Sequence, residues 1–330
     1  MNTTLPTPAK LPRWRGFNIL ENFSKDFSNS AFRESDLQWI ADWGFDFIRL
    51  PSDYRTWIKA DDWRTFDEAG LKRMDQVVAW GEKHAVHVNI NFHRGPGYCV
   101  NPPAEAKSLW TDPEAQEVAA LHWATFAKRY KGRPNSQVSF DLFNEPANVD
   151  NPTYAKVVRL MVAAIHKEDP DRLVIADGNR WGNEPVFELV GAGIAQSTRG
   201  YAPMWMSHHQ ASWVNWEASW PKPEWPSTGT DPFDKARLWK EQIEPWKKLE
   251  AKGVGIHVGE WGAFHKAPHG ETLKWMEDCL INWKEAGWGW ALWNFRGSFG
   301  ILDAHRPGAT EEDWHGLKLD RKMLDLLMKY

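Results

Sequence analysis

Short apolar runs alternate with amphipathic stretches along most of the chain. The apolar runs end at a glycine, a proline or a polar residue, which is typical of buried strands in a parallel sheet. The stretches between them carry apolar residues three or four positions apart, which favours helices packed by one face. The pattern predicts eight strands, at residues 15–19, 45–51, 87–92, 137–143, 172–176, 204–207, 254–259 and 288–293.

Helices are predicted between these strands, and regular alternation of this kind calls for a parallel sheet. They cover residues 36–43, 69–84, 113–130, 152–167, 233–251 and 271–285, and a last helix follows Asp320. Eight such units predict an α/β fold of the (β/α)8 TIM-barrel type. The 330 residues would form one domain, 1–330, with residues 1–12 as a loose lead-in. The alternative, a doubly wound sheet, needs a glycine-rich phosphate loop, and none is found.

Polar side chains follow most of the predicted strands. Closing eight parallel strands gathers their carboxyl ends on one face, where catalytic groups of such barrels lie. Glu145 follows the buried run V-S-F-D-L-F-N, and Pro146 stops the strand because it has no N–H for the ladder. The strand ends together contribute Asn18, Arg49, His93, Asn144, Glu145, Asp177, Asn179, His208, His209, Glu260 and Trp293.

Glu145 and Glu260 are therefore expected to face each other across the barrel mouth. A lone glutamate after a strand would usually be a solvated loop residue. A pair of carboxyl groups, however, is what glycoside hydrolysis requires, one protonated as the acid and one ionised. The field between the two groups separates their pKa values. We expect the carboxyl groups to lie about 5–5.5 Å apart, as a retaining mechanism needs.

Tryptophan is unusually abundant, with 23 residues. Exposed indoles suit ligands that have apolar faces and hydroxyl edges, as sugars do. The long loop before residue 233 carries Trp213, Trp216, Trp220 and Trp225, and at least one of these is expected to be exposed along the cleft. The alternative is that they pack the loops against each other.

Four motifs make the chain resemble glycoside hydrolase family 5, the cellulase family of retaining Glu/Glu barrels. They are N-E-P at 144–146, V-G-E-W-G at 258–262, I-R-L-P at 48–51 and W-A-L-W-N at 290–294, in that family's spacing, and the resemblance spans roughly 15–303. It implies Glu145 as the general acid/base and Glu260 as the nucleophile. Asn144 would bond the sugar 2-hydroxyl, and Arg49 would keep Glu260 ionised.

The resemblance also implies roles for other strand-end residues. His93 would line the site, and Trp293 would form the sugar platform where the bond is cleaved. The family usually has His-x-Tyr after strand six, with the tyrosine on the nucleophile. Here His208 matches that histidine and Gln210 stands in place of the tyrosine. Further candidates for substrate contact are Asn18, Trp181 and Trp213.

Charge and composition narrow the function classes. The net charge is −4 and no basic stripe occurs, which argues against nucleic acid as a partner. No apolar run is long enough to span a bilayer, so no membrane partner is expected. Residues 1–10 carry no signal peptide, so both a secreted or periplasmic protein after signal removal and a cytoplasmic one are compatible with the sequence. A monomer without cofactor is expected.

These observations predict a retaining β-glycoside hydrolase that cleaves a β-linked glucan, in polysaccharide or oligosaccharide form, as a cellulase or endo-β-glucanase does. A β-mannanase or an exo-acting β-glucosidase is the alternative within the family. A carbohydrate-binding barrel without activity is the alternative from another class. A metal-dependent hydrolase could be assembled from His93, His208, His209 and Glu260, but no metal-ligand spacing supports it, and no metal is expected.

Overall fold

The computed structural model describes residues 5–214, 220–228 and 231–330. Eight parallel strands pair with their neighbours in chain order, and the first strand also pairs with the eighth, so the sheet closes into a barrel. The predicted (β/α)8 barrel is thereby confirmed. The strands are β1 Arg15–Asn18, β2 Phe47–Asp53, β3 His87–Gly95, β4 Val138–Asp141, β5 Val174–Asp177, β6 Ala195–Gly200, β7 Ile256–Trp261 and β8 Gly289–Leu292.

Helices cover the outside of the barrel and bury their apolar faces against it. The long ones begin at side-chain caps or prolines: Asp112, for example, accepts the N–H groups of Glu114 and Ala115, with Pro113 opening the helix. The helices are Glu34–Asp42, Glu68–His84, Pro113–Tyr130, Asn151–Glu168, Lys235–Leu238 continuing through a π-helical Trp239–Ile243 into Glu244–Glu250, His269–Ala286 and Arg321–Lys329. Short helical turns lie at Tyr54–Trp57, Asn179–Gly182, Phe187–Leu189 and Met204–Ser207.

The amino-terminal end of the barrel is closed by aromatic and aliphatic side chains. Trp14 stacks on His87 with ring centroids 3.8 Å apart, and Leu11 joins the same cluster. The carbonyl of Pro8 accepts a hydrogen bond of 2.7 Å from the N–H of Gly255. Residues 8–11, predicted as part of a loose lead-in, are thus held against the barrel. Among the helices of the described residues, none combines the length and apolar character needed to cross a membrane.

The loops at the carboxyl ends of the strands carry most of the added structure. Tyr98–Cys99 turns back and pairs with the end of β3. Two antiparallel hairpins also occur, Ile58–Lys59 with Asp62–Phe66 and Glu311–Trp314 with Leu317–Asp320. Trp314 of the second hairpin packs against Trp39 and Trp43, in and directly after the helix Glu34–Asp42.

The predicted sixth strand is wrong. Residues 204–207 form one helical turn, and the strand is Ala195–Gly200. This strand is buried throughout although most of its side chains are polar. Each polar group is bonded: the Gln196 amide exchanges two hydrogen bonds with the Val186 backbone, at 2.9 and 3.0 Å. Because those partners are remote in sequence, a hydrophobic pattern could not detect this strand. The other seven predicted strands overlap the observed ones and are confirmed.

Candidate active site

Arg49, on β2, lies at the centre of a buried polar network in the barrel mouth. Its Nη1 donates to Glu260 Oε1 at 2.6 Å and to Asn18 Oδ1 at 3.0 Å. Its Nε donates to Asp141 Oδ2 at 2.6 Å, and its Nη2 donates to Asn144 Oδ1 at 2.8 Å. The guanidinium is 1% exposed. One cation thus fixes side chains from four strands or strand ends, β1, β4, the residues after β4, and β7.

A second buried arginine, Arg199, comes from β6. Its Nε donates to Glu145 Oε1 at 3.0 Å, and its Nη2 lies 3.3 Å from Glu260 Oε1. The same guanidinium binds both carboxylate oxygens of Asp177 and donates to Asn144 Oδ1 at 2.9 Å. The structure therefore brings the two predicted catalytic glutamates onto one cation. The expected separation of about 5–5.5 Å stays a prediction.

The two glutamates lie in different surroundings. Glu260 is 4% exposed and is held by Arg49, Arg199 and the hydroxyl of Tyr201. Glu145 is 18% exposed, and Arg199 is its single ion-pair partner among the described residues. Burial and the charge of Glu260 raise the pKa of Glu145 to about 8, against the opposing effect of Arg199. Glu145 is thus protonated at neutral pH, while Glu260 accepts hydrogen bonds from two guanidinium groups and a phenol.

Two aspartates complete the network. Asp177, at the end of β5, accepts from Arg199 and from the backbone N–H of Glu145 at 2.8 Å. That second bond fixes Glu145 in the left-handed region, with φ of 50°. Burial and the neighbouring Asp177 raise the pKa of Asp141 to about 7. Within the described residues its Oδ1 has no hydrogen-bond partner.

Tyr201 takes the place that the sequence interpretation gave to Gln210. The Tyr201 hydroxyl donates to Glu260 Oε2 at 3.1 Å, and burial raises the pKa of that phenol well above its usual value. Gln210 is exposed, so its assignment as the tyrosine equivalent is wrong. The error follows from the misplaced strand, since the residue after the true β6 is Tyr201. The assignment of His208 as the histidine of this motif is wrong for the same reason, because Arg199 stands two positions before Tyr201. His208 packs edge-on against Tyr201 with ring centroids 4.9 Å apart, and burial lowers its pKa to about 4.

The rings of His93 and Trp293 stack on each other with centroids 5.7 Å apart. His93 Nε2 lies 2.8 Å from Asn101 Oδ1, and its Nδ1 has no partner within the described part of the chain. Burial lowers the pKa of His93 to about 3, so the ring is neutral. Phe23 packs against both rings. Trp293 is half-buried, which leaves part of its indole surface available.

The tryptophans of the loops differ in exposure. Trp213 is 56% exposed and packs edge-on against Phe264 at 4.8 Å, beside His208. Trp181 is 48% exposed, and its backbone N–H donates to the carbonyl of Pro146, next to Glu145. Trp225 is buried and Trp220 is half-buried, whereas Trp216 lies outside the described residues. Trp213 is thus exposed, as expected for at least one tryptophan of this loop, and its place along the cleft stays a prediction.

In residues 5–214, 220–228 and 231–330, no group of three or more His, Cys, Asp or Glu is arranged to hold a metal ion. His208 Nδ1 lies 2.8 Å from Ser207 Oγ, and His93 bonds Asn101, so both rings have other partners. Among the described residues, the charged groups of the mouth are carboxyl groups bonded to two buried arginines.

Sequence reasoning found the residues that follow apolar strands and missed those on the polar one. It placed Asn18, Arg49, Asn144, Glu145 and Glu260, which the structure brings into one network. It missed Arg199 on the polar strand and Tyr201 directly after it, and it also missed Asp141, which lies on the apolar strand β4. The T-R-G-Y run at 198–201 contained a usable signal, because an arginine in an otherwise uncharged stretch needs a carboxylate partner if buried.

Comparison with known proteins agrees with this geometry. Residues 9–298 match the family model of cellulases, glycosyl hydrolase family 5. Endoglucanase C of Acetivibrio thermocellus is 26% identical over 317 residues, which cover 88% of this chain and 92% of that protein. Cellodextrinase A of Ruminococcus flavefaciens is 22% identical over 261 residues, covering 78% and 76% of the two chains.

Solved structures give the same result. A crystal structure described as a glycoside hydrolase superposes with a TM-score of 0.91 at 37% identity, covering 96% of this chain and 99% of that one. Endoglucanase Cel5A of the hyperthermophilic Thermotoga maritima superposes with a TM-score of 0.77 at 25% identity, covering 95% and 96%. With a family match that includes both glutamates and nearly the whole barrel, the chain is a glycoside hydrolase and belongs to the cellulase family, glycosyl hydrolase family 5.

Proposed function

We propose that this enzyme cleaves internal glycosidic bonds of a β-linked glucan by double displacement, with retention of configuration at the anomeric carbon. The observation that carries the proposal is the pair of glutamates on one guanidinium, with burial and charge keeping Glu145 protonated. Retaining enzymes need this division, one carboxyl group as proton donor and the other as nucleophile.

In the first step, Glu260 attacks the anomeric carbon as the glycosidic bond breaks, and Glu145 gives its proton to the departing oxygen. In the second step, Glu145 removes a proton from water, which attacks the same carbon and frees Glu260. Arg49 and Tyr201 hold Glu260 in place for attack. The Nδ2 of Asn144 has no partner among the described side chains and is free to donate to the sugar 2-hydroxyl.

The glucan specificity and internal cleavage rest on two kinds of support. Endoglucanase C and Cellodextrinase A, named for activity on such polymers and oligomers, are among the relatives. The structure also carries two aromatic groups: Trp293 packs against Phe23, and Trp213 packs against Phe264 beside His208. Two aromatic surfaces suit a substrate with several sugar units, each of which presents an apolar face.

Azide rescue of two variants tests the roles of the glutamates. Glu260→Ala should abolish hydrolysis of every substrate, and added azide should then give an α-glycosyl azide from an activated aryl glycoside. Glu145→Ala should retain glycosylation by aryl glycosides with good leaving groups, and azide should give the β-glycosyl azide. The opposite pair of products would show that the two roles are exchanged.

Substrate class is tested separately with the wild-type enzyme. Soluble β-glucans, mannan and aryl cellobiosides are compared, and the products are sized over time. Rapid loss of viscosity with a spread of oligomer lengths supports internal cleavage of glucan. Release of glucose alone from chain ends, or a preference for mannan, would contradict that part of the proposal.

A further inference from the structure

Arg199 is shared between the two catalytic carboxyl groups. It contacts Glu145 Oε1 through Nε at 3.0 Å and Glu260 Oε1 through Nη2 at 3.3 Å, and its side chain is fully buried. Glu260 also has Arg49 at 2.6 Å, whereas Glu145 has no other cation within contact among the described residues. Arg199 is therefore the single described positive group that acts directly on Glu145.

Other charged and titratable groups around Glu145 also affect its protonation. Facing it are Glu260 on β7, Arg199 on β6, Asp177 on β5, and the phenols Tyr98 and Tyr201. Asp177 is fully buried and bound to Arg199 through both oxygens, so it offsets part of the arginine's charge. The Nε edge of the guanidinium remains directed at Glu145. This geometry leaves the effect of Arg199 on Glu145 dependent on whether Glu260 is charged.

We propose that Arg199 is a positioning residue that stabilises Glu145 as the carboxylate base of the second step of the reaction. The inference rests on the proposed double displacement. When Glu260 becomes an ester of the anomeric carbon, its negative charge disappears, and the leaving oxygen takes the Glu145 proton. Arg199 then faces an ionised Glu145 without competition from Glu260. The cation stabilises the carboxylate that must accept a proton from water in the second step.

The direction of the charge effects supports this sequence. In the free enzyme, burial and the charges of Glu260 and Asp177 raise the pKa of Glu145, and Arg199 lowers it. Esterification removes the charge of Glu260 and leaves that of Arg199 in place. Without Arg199, Glu145 would stay protonated to higher pH both in the free enzyme and in the glycosyl-enzyme. Glycosylation, which needs the protonated form, would then persist to higher pH, and deglycosylation, which needs the ionised form, would fail at neutral pH.

Arg199→Gln tests this prediction, with 2,4-dinitrophenyl cellobioside and an unactivated cello-oligosaccharide as substrates. The alkaline limb of kcat/KM for the oligosaccharide should move up by about one pH unit or more. At pH 6 to 7, turnover of the aryl substrate should show a burst of dinitrophenolate followed by slow release, because glycosyl-enzyme accumulates. The intermediate should be seen as a mass increase on Glu260. A lower rate with an unmoved limb and no burst would overturn the proposal.

Two further variants separate charge from folding. Arg199→Lys keeps a cation and should keep the limb within about half a pH unit of wild type, with no burst. Arg199→Gln combined with Asp177→Asn avoids a stranded buried aspartate and should recover thermal stability. Because Asp177 also raises the pKa of Glu145, the limb of this double variant should fall between those of wild type and Arg199→Gln. A limb that is the same in Arg199→Gln and Arg199→Lys would show that the charge of Arg199 does not act on Glu145, and the proposal would be wrong.

The stereochemistry of the wild-type product tests double displacement, and the alkaline limb of Arg199→Gln tests the role of Arg199. Wild-type enzyme that gives an inverted product would remove double displacement itself. Retention in the wild type together with an unmoved limb in Arg199→Gln would remove only the role of Arg199.

Discussion

Replacing Glu145 by glutamine should stabilise the fold, and by an amount that depends on pH. Burial and the charge of Glu260 raise the pKa of this carboxyl group from 4.5 to about 8. Below its unfolded pKa, such a group is protonated in both the folded and the unfolded state and does not disfavour folding. As pH rises from the unfolded to the folded pKa, the unfolded state loses its proton first, so the free energy of unfolding falls. Glutamine has the same shape and no charge, so it removes this loss.

The expected magnitude follows from the two pKa values. Each pKa unit corresponds to about 1.4 kcal/mol. At pH 9, above both values, ionised Glu145 destabilises the fold by on the order of 4–5 kcal/mol. At pH 6 the difference is about 2 kcal/mol, and at pH 4 it is close to zero. For a protein of this size, the midpoint of thermal unfolding of Glu145→Gln should exceed that of wild type by about 5 °C or more at pH 9.

Thermal and urea unfolding at pH 4, 6 and 9 measure this difference. Glu188→Gln is a matched control, because Glu188 is exposed and its side chain has no ion pair in the described structure. The control should change stability by less than about 0.5 kcal/mol at each pH. A Glu145→Gln variant that is less stable than wild type at pH 9, or whose gain does not grow with pH, would refute the electrostatic reasoning.

Three other outcomes are expected. Tyr201→Phe should lower kcat/KM about ten- to hundredfold, because it removes a hydrogen bond of 3.1 Å to Glu260, whereas Gln210→Ala should stay within about twofold. The reverse ranking, measured by steady-state kinetics, would restore the original assignment of Gln210. Trp213→Ala should raise KM for cellohexaose about fivefold or more and leave an aryl cellobioside unaffected, since the indole is 56% exposed and distant subsites need it; equal losses on both substrates would place it at the cleaved bond. Prolonged dialysis against a chelator should leave activity unchanged, and a loss restored by a divalent ion would reveal a metal role.

The sequence by itself determined the barrel and the two glutamates. Seven strands are apolar enough to be detected locally, and their order with the intervening helices leaves little choice of architecture. Glu145 and Glu260 were identifiable because each ends such a strand, and the carboxyl ends of barrel strands meet at one mouth. Arg49 and Asn18 followed from the same rule.

Only the tertiary structure revealed which residues on and after β6 belong to the site. The β6 strand is buried by contacts with residues remote in sequence, so its Ser, Thr and Arg side chains gave no local sign of burial. Arg199 became recognisable when folding placed Glu145, Asp177 and Glu260 around it. Misplacing that strand also moved the expected tyrosine from Tyr201 to Gln210. The pKa of Glu145 likewise depends on burial and on a carboxylate 115 positions further along the chain, which no local pattern encodes.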